Sequence, residues 1–299
     1  MTTTVLCIYH GNCLDGFTAA WAVRQFFRER RQEIDFFPGF YQSSPPDVTG
    51  RDVILVDFSY KRPIIDAMAT QARSLLIIDH HKTAAEDLAG IQPVFGMGWD
   101  RHQDNVIQDA CEGLSGKLYC LFDMSRSGAG LAWDFFFPQG RPKLIDIVED
   151  RDLWLFKYPY TRAVNAALFS YPYDFDVWDR LYIQAGEDLP DLVRQGEAIE
   201  RKHFKDIDEL LKVLKHRTTI AGHDVPIANL PYTLVSDAGN IMAQGEPFAA
   251  CYYDKPDCRE YSLRSGPDGL DVQAIARRFG GGGHEHAAGF RVPHGTDVA

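Results

Sequence analysis

Two uninterrupted apolar segments, each ending abruptly in acidic and polar side chains, restrict what this chain can fold into more than any other feature. They are "DVILVDFSY", from Asp52, and "SLLIIDHH", from Ser74, and the helical-looking stretch "KRPIIDAMATQA" separates them. Strands without alternating polar residues are buried on both faces, and strands joined by helices run parallel. The sequence therefore predicts a parallel sheet covered by helices on both faces.

The N-terminal region predicts one more unit of the same kind. "TTVLCIYH" is a short β-branched and apolar run, and "DGFTAAWAVRQFFRERR" follows it with apolar residues at helical spacing. The cations of this second segment gather at its C-terminal end, where the helix dipole favours them. Open parallel sheets bind ligands beyond the carboxyl ends of their strands, so the residues that follow each strand are the candidates for function.

Three of the predicted strands end in side chains that can bind a metal ion. These side chains are His10 and Asp15 after the first strand, Asp57 after the second, and Asp79, His80 and His81 after the third. An aspartate after a strand often caps the next helix, but three such groups at one sheet edge should converge on a single crevice. Imidazole with several carboxylates suits manganese, magnesium or zinc, and a divalent cation stabilises acids that would otherwise repel one another.

Composition limits the class of protein and the class of partner. The chain has 299 residues, of which 45% are hydrophobic and 24% charged, as expected of a soluble globular protein with two domains. Its formal net charge of −11 opposes tight binding of long duplex DNA and leaves short anionic substrates open. No basic region precedes the first apolar stretch, and no apolar run approaches the roughly 20 residues that cross a bilayer, so we expect a cytoplasmic protein without a membrane partner.

The cysteines indicate neither a structural zinc site nor a disulfide framework. There are six of them, scattered along the chain without a C-x-x-C pair. We expect most of them to be small core residues.

The second half of the chain predicts a separate, smaller domain. "DLPDLVRQGEAIERKHFKDIDELLKVLKH" has sustained helical periodicity and mixed charge, which is typical of a connector helix. Strand-like segments punctuated by glycine and proline follow it. We therefore predict a catalytic domain over residues 1–188, a helical connector over 189–216 and a smaller α+β domain over 217–299.

Two further segments carry recognisable local signals. "SRSGAGLAWDFFF", from Ser125, predicts a helix that begins with a serine cap and buries its aromatic residues in the core. Near the C-terminus, four glycines precede His284 in "FGGGGHEHAAGF" and can let backbone N–H groups approach an anion, although a flexible turn is the simpler alternative. Arg264 offers a planar fork for a phosphate, and Arg277 and Arg278 make this region locally cationic.

Several of these segments together resemble the DHH phosphoesterase superfamily. The resemblance rests on "HGNCLDG" at 10–16, "LVDFS" at 55–59, "DHH" at 79–81 and "IVEDRDLW" at 147–154, in that order. The stretch "YSLRSGPDGLDVQAIARRFGGGGHEHAAGF" at 261–290 is similar to the associated DHHA1 domain. The resemblance covers nearly the whole chain and is strongest to the nanoRNase branch. It implies an α/β fold with an N-terminal doubly wound, mostly parallel sheet and a smaller α+β DHHA1 domain, joined by a helical connector.

The same resemblance implies a ligand set for two Mn²⁺ ions per chain, with Mg²⁺ or another divalent ion as an alternative. Asp57 would bridge the ions, His10 would bind one, and Asp15, His80 and Asp150 the other. His81 would face the substrate phosphate, and Asp79 joins it as a catalytic candidate.

The chain departs from the family pattern at Cys13, where the family commonly has an aspartate. This site is then weaker, uses the thiolate or favours a softer ion. The segment "EDRD" also offers more than one acid as the metal ligand of the fourth motif, and we favour Asp150 over Asp152.

The resemblance finally implies a class of substrate and the residues that bind it. The substrate-binding candidates are Arg264, Ser265, Gly281, Gly282, Gly283 and His284. We expect hydrolysis of single-stranded oligonucleotides of roughly two to five nucleotides to 5′-monophosphates, because positioning helps only substrates that engage both sites. The alternatives are hydrolysis of a small nucleotide, such as 3′-phosphoadenosine 5′-phosphate or a linear or cyclic dinucleotide, and a nucleotide sensor with weakened catalysis. A homodimer is compatible with this interpretation.

Overall fold

The computed structural model describes residues 5–41, 43–93, 117–137 and 140–299. The chain divides into two compact units, Met1–Ile199 and Glu200–Ala299. Among the described residues, no helix has the length and apolar character needed to span a bilayer.

The first unit alternates strands and helices, as the sequence predicts. Its strands are β1 (Val5–His10), β2 (Ile34–Gly39), β3 (Asp52–Val56), β4 (Ser74–Asp79), β5 (Gln92–Pro93) and β6 (Lys117–Phe122). Its helices are α1 (Leu14–Glu29), α2 (Arg62–Gln71), α3 (Lys82–Asp87), α4 (Gly128–Phe136), α5 (Lys143–Asp152), α6 (Thr161–Phe169) and α7 (Phe175–Glu187).

All six strands of this unit form one parallel sheet in the order β2-β1-β3-β4-β6-β5. After β1 the chain adds β2 on one side and then returns to place β3 on the other side. The gap between the carboxyl ends of β1 and β3 is thus the topological switch point, where open α/β sheets leave room for a ligand. His10 ends β1, and Asp57 directly follows β3.

The uninterrupted apolar strands are explained by helices packed on both faces. Ile54 and Val56 of β3 face a core that includes Trp21 of α1 and Trp178 of α7. Leu55, between them, faces a second core formed with α2 and the residues after α3. Because successive side chains of a strand point to opposite faces, a strand buried on both sides must be apolar throughout.

The second unit is a mixed sheet with helices on both faces. Helix α8 (Leu189–Leu214) contains the division between the units and precedes β7 (His216–Ile220), β8 (His223–Asn229), α9 (Val235–Met242), β9 (Ala249–Asp254), β10 (Arg259–Arg264), α10 (Val272–Arg278), β11 (Gly282–His284) and β12 (Ala287–Val292). The strand order is β11-β12-β10-β9-β8-β7, and only the β8–β9 pairing is parallel. Apolar residues of α8 and α9 share one core, and those of α10 belong to another.

The predicted fold class is confirmed: a parallel sheet wound with helices on both faces, then a helix and a smaller α+β unit. The compact units divide between residues 199 and 200, inside α8, whereas the predicted boundaries lie near the two ends of that helix. The predicted assignment of a role to each region stays a prediction.

Candidate metal centre and active site

Asp57 lies at the centre of the cluster that the sequence predicts. Its side chain is 1% exposed, with Oδ2 3.4 Å from Nδ1 of His10 and Oδ1 3.0 Å from Nε2 of His80. The backbone of Asp57 is left-handed, with φ +53°. Gly128 lies directly against it, since a Cβ added to Gly128 would stand 2.4 Å from the Cβ of Asp57.

Asp15, in the first turn of α1, is held by the start of α4. Its two oxygens accept hydrogen bonds from the backbone N–H groups of Gly128 at 2.6 Å and Ala129 at 3.0 Å. These are orphan donors at a helix N-terminus, where the helix dipole also favours a carboxylate. The side chain of Ser127 caps the same helix through the N–H of Gly130, as the sequence predicts.

His80 brings a third acid into the cluster. Its Nε2 lies 3.8 Å from Oδ2 of Asp15 and 3.6 Å from Oδ2 of Asp152, in addition to its contact with Asp57. Among the described residues of the first unit, two groups of three side chains have ligand atoms close enough to share one ion: His10, Asp57 and His81 form the first, and Asp15, Asp57 and His80 the second. Asp57 belongs to both groups, so the geometry fits two cation positions that share one carboxylate.

The structure separates the two acids that compete for the fourth motif. Asp152, at the end of α5, faces His80. Asp150 is buried and instead accepts hydrogen bonds from the N–H groups of Lys157 and Tyr158, at 2.9 and 3.3 Å, and from the hydroxyl of Thr161. Asp150 therefore fixes the turn between α5 and α6, and we propose Asp152 in its place as the ligand of the fourth motif.

Asp79 fixes the orientation of His81. Its Oδ1 accepts the N–H of His80 at 2.7 Å and that of His81 at 3.2 Å, and it lies 2.7 Å from Nδ1 of His81. Asp79 is fully buried at the end of β4. These contacts suit a positioning residue that acts on the site through His81, and a direct catalytic role for Asp79 stays a prediction.

Cys13 lies beside the first ligand group, as its place in the motif implies. Its thiol donates to Oδ2 of Asp57 at 3.6 Å. Burial and the negative charges of Asp57 and Asp15 raise the pKa of the thiol well above its ordinary value. In the absence of a cation, Cys13 is therefore a neutral neighbour of Asp57.

The site concentrates negative charge in a small buried volume. Burial and the charges of Asp152 and Asp57 raise the pKa of Asp15 well above its ordinary value, and burial likewise raises that of Asp152. Burial also opposes ionisation of Asp57, but the imidazoles of His10 and His80 beside it lower its pKa well below the usual range. The contact with Asp57 and the charges of Asp152 and Asp15 outweigh the burial of His80 and raise its pKa. A divalent cation would relieve the repulsion among these acids.

The donor set fits a divalent metal ion. Buried polar atoms normally form hydrogen bonds, yet Nδ1 of His10 and Oδ1 of Asp57 make none of good geometry with the described residues. Both atoms face charged neighbours at the carboxyl edge of the sheet. Imidazole nitrogens and carboxylate oxygens in this proportion are typical ligands of manganese and zinc.

The predicted substrate-binding residues lie together in the second unit. Arg264, the last residue of β10, pairs with Ala287 of β12, and Ala287 pairs in turn with His284 of β11. Arg264 and His284 therefore flank Ala287 at the same end of the sheet. The guanidinium of Arg264 is held in place by hydrogen bonds to the hydroxyls of Ser236 and Ser262.

The glycine run is an edge strand rather than a free loop. Gly282 and Gly283 pair with β12, and Gly281 packs so closely that an added Cβ would lie 2.1 Å from the carbonyl oxygen of Gly289. The lack of side chains thus allows close packing of two strands. Ser265 is buried, and its hydroxyl lies 2.9 Å from Nδ1 of His286. The structure thus adds His286 to this group.

Sequence reasoning missed other residues of the first unit's site. Gly128 and Ala129 were interpreted only as the start of a helix, although a capped helix that follows a strand of a parallel sheet could have indicated an anion-binding N-terminus. Tyr41 gave no signal in the sequence, yet its ring centroid lies 5.2 Å from that of His10.

Comparison with known proteins supports the fold. No family model matches the chain. It is 28% identical over 307 residues to an uncharacterized protein, R106, of Acanthamoeba polyphaga mimivirus; the match covers 95% of this chain and 66% of that protein.

Among solved structures, RecJ from Thermus thermophilus in complex with Mn²⁺ aligns with a TM-score of 0.52 and 12% identity, over 97% of this chain and 49% of RecJ. A pGpG-specific phosphodiesterase, PggH, from Vibrio cholerae aligns with a TM-score of 0.45 and 12% identity, over 98% and 94% of the two chains. At these identities the similarity to RecJ shows a shared fold, and the score for PggH supports no further comparison.

Proposed function

We propose that this protein is a metal-dependent phosphodiesterase that hydrolyses short single-stranded oligonucleotides to nucleoside 5′-monophosphates. One observation carries the proposal: two groups of metal-binding side chains share Asp57 at the switch point of a parallel sheet. The fold, which matches that of a RecJ solved with Mn²⁺, and the resemblance of the motifs to DHH phosphoesterases support it.

The proposed ligands form two sets. His10 and Asp57 would hold the first ion, next to Cys13, while Asp57, Asp15, His80 and Asp152 would hold the second. A pair of divalent ions lowers the pKa of water and stabilises the attacking and leaving oxygens of an in-line displacement at phosphorus. The protein contributes a rigid frame, since Asp15 is anchored by helix α4 and Asp57 by a fixed left-handed turn.

His81 is the proposed donor to the reacting phosphate. Burial alone would lower its pKa, but the charge of Asp79 and the hydrogen bond to it raise the pKa overall. With Nδ1 directed at Asp79, an imidazolium at this position can donate from Nε2 to a non-bridging oxygen. Preorganised donors of this kind are most effective where negative charge grows in the transition state.

The second unit is the proposed grip for the end of the substrate. Arg264 and His284 lie at one end of its sheet, and hydrogen bonds fix the guanidinium of Arg264 in advance. A charged fork held in place loses little side-chain freedom when it binds a phosphate. We therefore propose short oligonucleotides as the substrates, rather than one small nucleotide.

A substrate panel with defined metal content tests this function. After dialysis against EDTA we expect no turnover, and we expect Mn²⁺ to restore hydrolysis of di- to pentanucleotides with release of 5′-monophosphates. The panel includes 3′-phosphoadenosine 5′-phosphate and a cyclic dinucleotide; faster hydrolysis of either would replace the proposed substrate. Full activity in EDTA would rule out the metal centre, and binding without turnover would identify a sensor.

A pair of variants tests the roles of the two adjacent histidines. His80→Ala should lose bound Mn²⁺ together with activity, because its imidazole faces Asp57 and Asp15. His81→Ala should keep Mn²⁺, measured by equilibrium dialysis, and lose turnover by roughly a hundredfold, as expected for a positioned proton donor. Equal loss of Mn²⁺ in both variants would show that His81 is a ligand, with His10 and Asp57, instead.

A further inference from the structure

Two exposed aromatic residues follow the strand that borders the metal cluster. Strand β2 pairs with β1 and ends at Gly39, opposite His10. Phe40 and Tyr41 come next and are 46% and 47% exposed. About half of each side chain is therefore open to solvent beside the site.

Tyr41 lies against the two imidazoles of the first ligand group. Its ring centroid is 5.2 Å from that of His10 and 6.2 Å from that of His81, in edge-to-face orientations of 69° and 78°. An edge-to-face contact with an imidazole leaves much of the phenol ring's surface for another partner. About half of the Tyr41 side chain is open to solvent.

The ring of Tyr41 packs against a buried aromatic residue. Phe58, which follows Asp57, is fully buried and lies 5.1 Å from Tyr41 between ring centroids. The end of β2 is held in turn by a hydrogen bond of 2.8 Å from the N–H of Gly11 to the carbonyl of Gly39. Gly39 allows the close approach of Phe58, because an added Cβ would lie 2.6 Å from its ring. The aromatic surface is thus positioned before a ligand arrives.

We propose that Tyr41 stacks against the base of the nucleotide whose phosphate is cleaved, and so makes the metal site selective for nucleotides over other phosphodiesters. This inference rests on the proposed function. A neutral phenol offers no charge to a phosphate, but every nucleobase has a π-face that stacks on an aromatic ring. The histidines that Tyr41 contacts belong to the metal cluster, and a base is separated from its own phosphate by one sugar.

Kinetics on substrates with and without bases tests the assignment. The substrates are a dinucleotide and the same diester with both bases removed. Tyr41→Leu should lower kcat/KM on the dinucleotide about tenfold or more, as loss of one base stack predicts, mainly through KM. The baseless diester should lose less than about twofold, because it has no π-face to stack. Tyr41→Phe and Tyr41→Trp should retain nearly the wild-type rate on both substrates.

A second arm measures binding alone. With Mn²⁺ present, the protein should bind adenosine 5′-monophosphate more tightly than ribose 5-phosphate, and Tyr41→Leu should abolish this difference. Tyr182→Leu is the matched control, since Tyr182 is an exposed tyrosine on α7 that packs on Trp21. It should leave both the rates and the binding unchanged.

The two arms separate failure of this inference from failure of the proposed function. A wild-type protein that hydrolyses no dinucleotide would overturn the function, while the binding arm would still decide the role of Tyr41. Equal losses on both diesters in Tyr41→Leu would show that the ring only supports His10 and His81. A loss in Tyr41→Phe as large as in Tyr41→Leu would assign the effect to the hydroxyl and contradict stacking.

Discussion

Asp57 has an unfavourable backbone conformation and lies at the centre of the cluster. A non-glycine residue with a positive φ costs of order 1 kcal/mol or more, although aspartate tolerates the left-handed region better than most residues. The backbone N–H of Asp57 is fixed to the carbonyl of Ile78 at 2.9 Å, so the strand beside it determines this turn. The strain therefore directs one carboxylate toward both groups of ligands.

Substitution of Asp150 and of Asp152, which are two positions apart, should have different effects on stability and on Mn²⁺ binding. Asp150→Ala should destabilise the protein by about 3 kcal/mol, because the amides of Lys157 and Tyr158 and the hydroxyl of Thr161 lose a charged acceptor. Asp152→Ala should preserve the stability of the metal-free protein, since it removes one of several crowded carboxylates. It should instead weaken Mn²⁺ binding. Thermal unfolding in EDTA and Mn²⁺ titration measure the two effects.

Each variant serves as the control for the other in this comparison. If Asp150→Ala retained full stability but lost Mn²⁺, the ligand assignment would return to Asp150. If both variants bound Mn²⁺ as tightly as the wild type, neither acid would be a ligand.

Among the elements, helix α4 supports two of the proposed ligands. Its first N–H groups hold Asp15, and Gly128 leaves room for Asp57. Gly128→Ala should lower Mn²⁺ affinity by about 10- to 100-fold, the range typical of losses outside the ligand shell, because a methyl group would displace Asp57. Gly186→Ala in α7 is the control, since a Cβ there would have no described atom within 4 Å. Unchanged Mn²⁺ affinity in Gly128→Ala would contradict the close contact.

Helices α1 and α7 are joined by one carboxylate. Asp179 accepts hydrogen bonds from Trp21 and Gln25 through Oδ1 and from Arg24 and Arg28 through Oδ2, at 2.7 to 3.0 Å. Partial burial opposes its ionisation, but these hydrogen bonds outweigh burial and lower its pKa. Asp179→Asn should therefore cost about 1 to 2 kcal/mol of unfolding free energy at pH 7.

The pH dependence of this difference follows from the sign of the shift. A carboxyl whose folded pKa is lowered stabilises the protein above its unfolded pKa, about 3.9, and loses this contribution as the pH falls through the folded value. The free energy of unfolding, measured in urea, should thus differ between wild type and Asp179→Asn by the full amount at pH 7. The difference should shrink below about pH 4. Asp176→Asn, at a largely exposed position on the same helix, should show no gap. A gap independent of pH would exclude the charge of Asp179 as its source.

The proposed preference for short substrates belongs to the whole molecule. A chain with a formal charge of −11 repels long polyanions, and the second unit is the proposed grip for the end of the substrate. Arg264→Ala and His284→Ala should each lower kcat/KM on dinucleotides about tenfold or more. Both should spare bis(p-nitrophenyl) phosphate, which needs only the metal centre.

A ladder of single-stranded oligonucleotides from two to twenty nucleotides provides the measurement. Arg259→Ala is the matched control, because Arg259 begins the strand that Arg264 ends and binds Asp254 there. Equal rates along the ladder, or equal losses on the small ester, would refute a terminal grip by this unit.

Sequence patterns were enough to predict the fold of both units and the edge of the sheet where the proposed site lies. The central residues of β3 and β4, Val53 to Val56 and Leu75 to Ile78, are apolar without alternation because both faces are buried, and this pattern can be read without knowing the neighbours. The carboxyl ends of parallel strands meet at one edge, so His10, Asp57 and His80 could be expected together. The helix at Gly128 was also predicted, from its serine cap.

The polar groups that face one another could not be predicted in the same way, because they come from distant parts of the chain. The sequence could not distinguish Asp150 from Asp152, since both occupy one short helix end and only the turn leading to Thr161 selects between them. Nor could it place Gly128 against Asp15, 113 positions earlier, or Tyr41 against His81. Periodicity records which face of an element is buried, whereas contacts between distant segments depend on strand order and close packing, which no local pattern records.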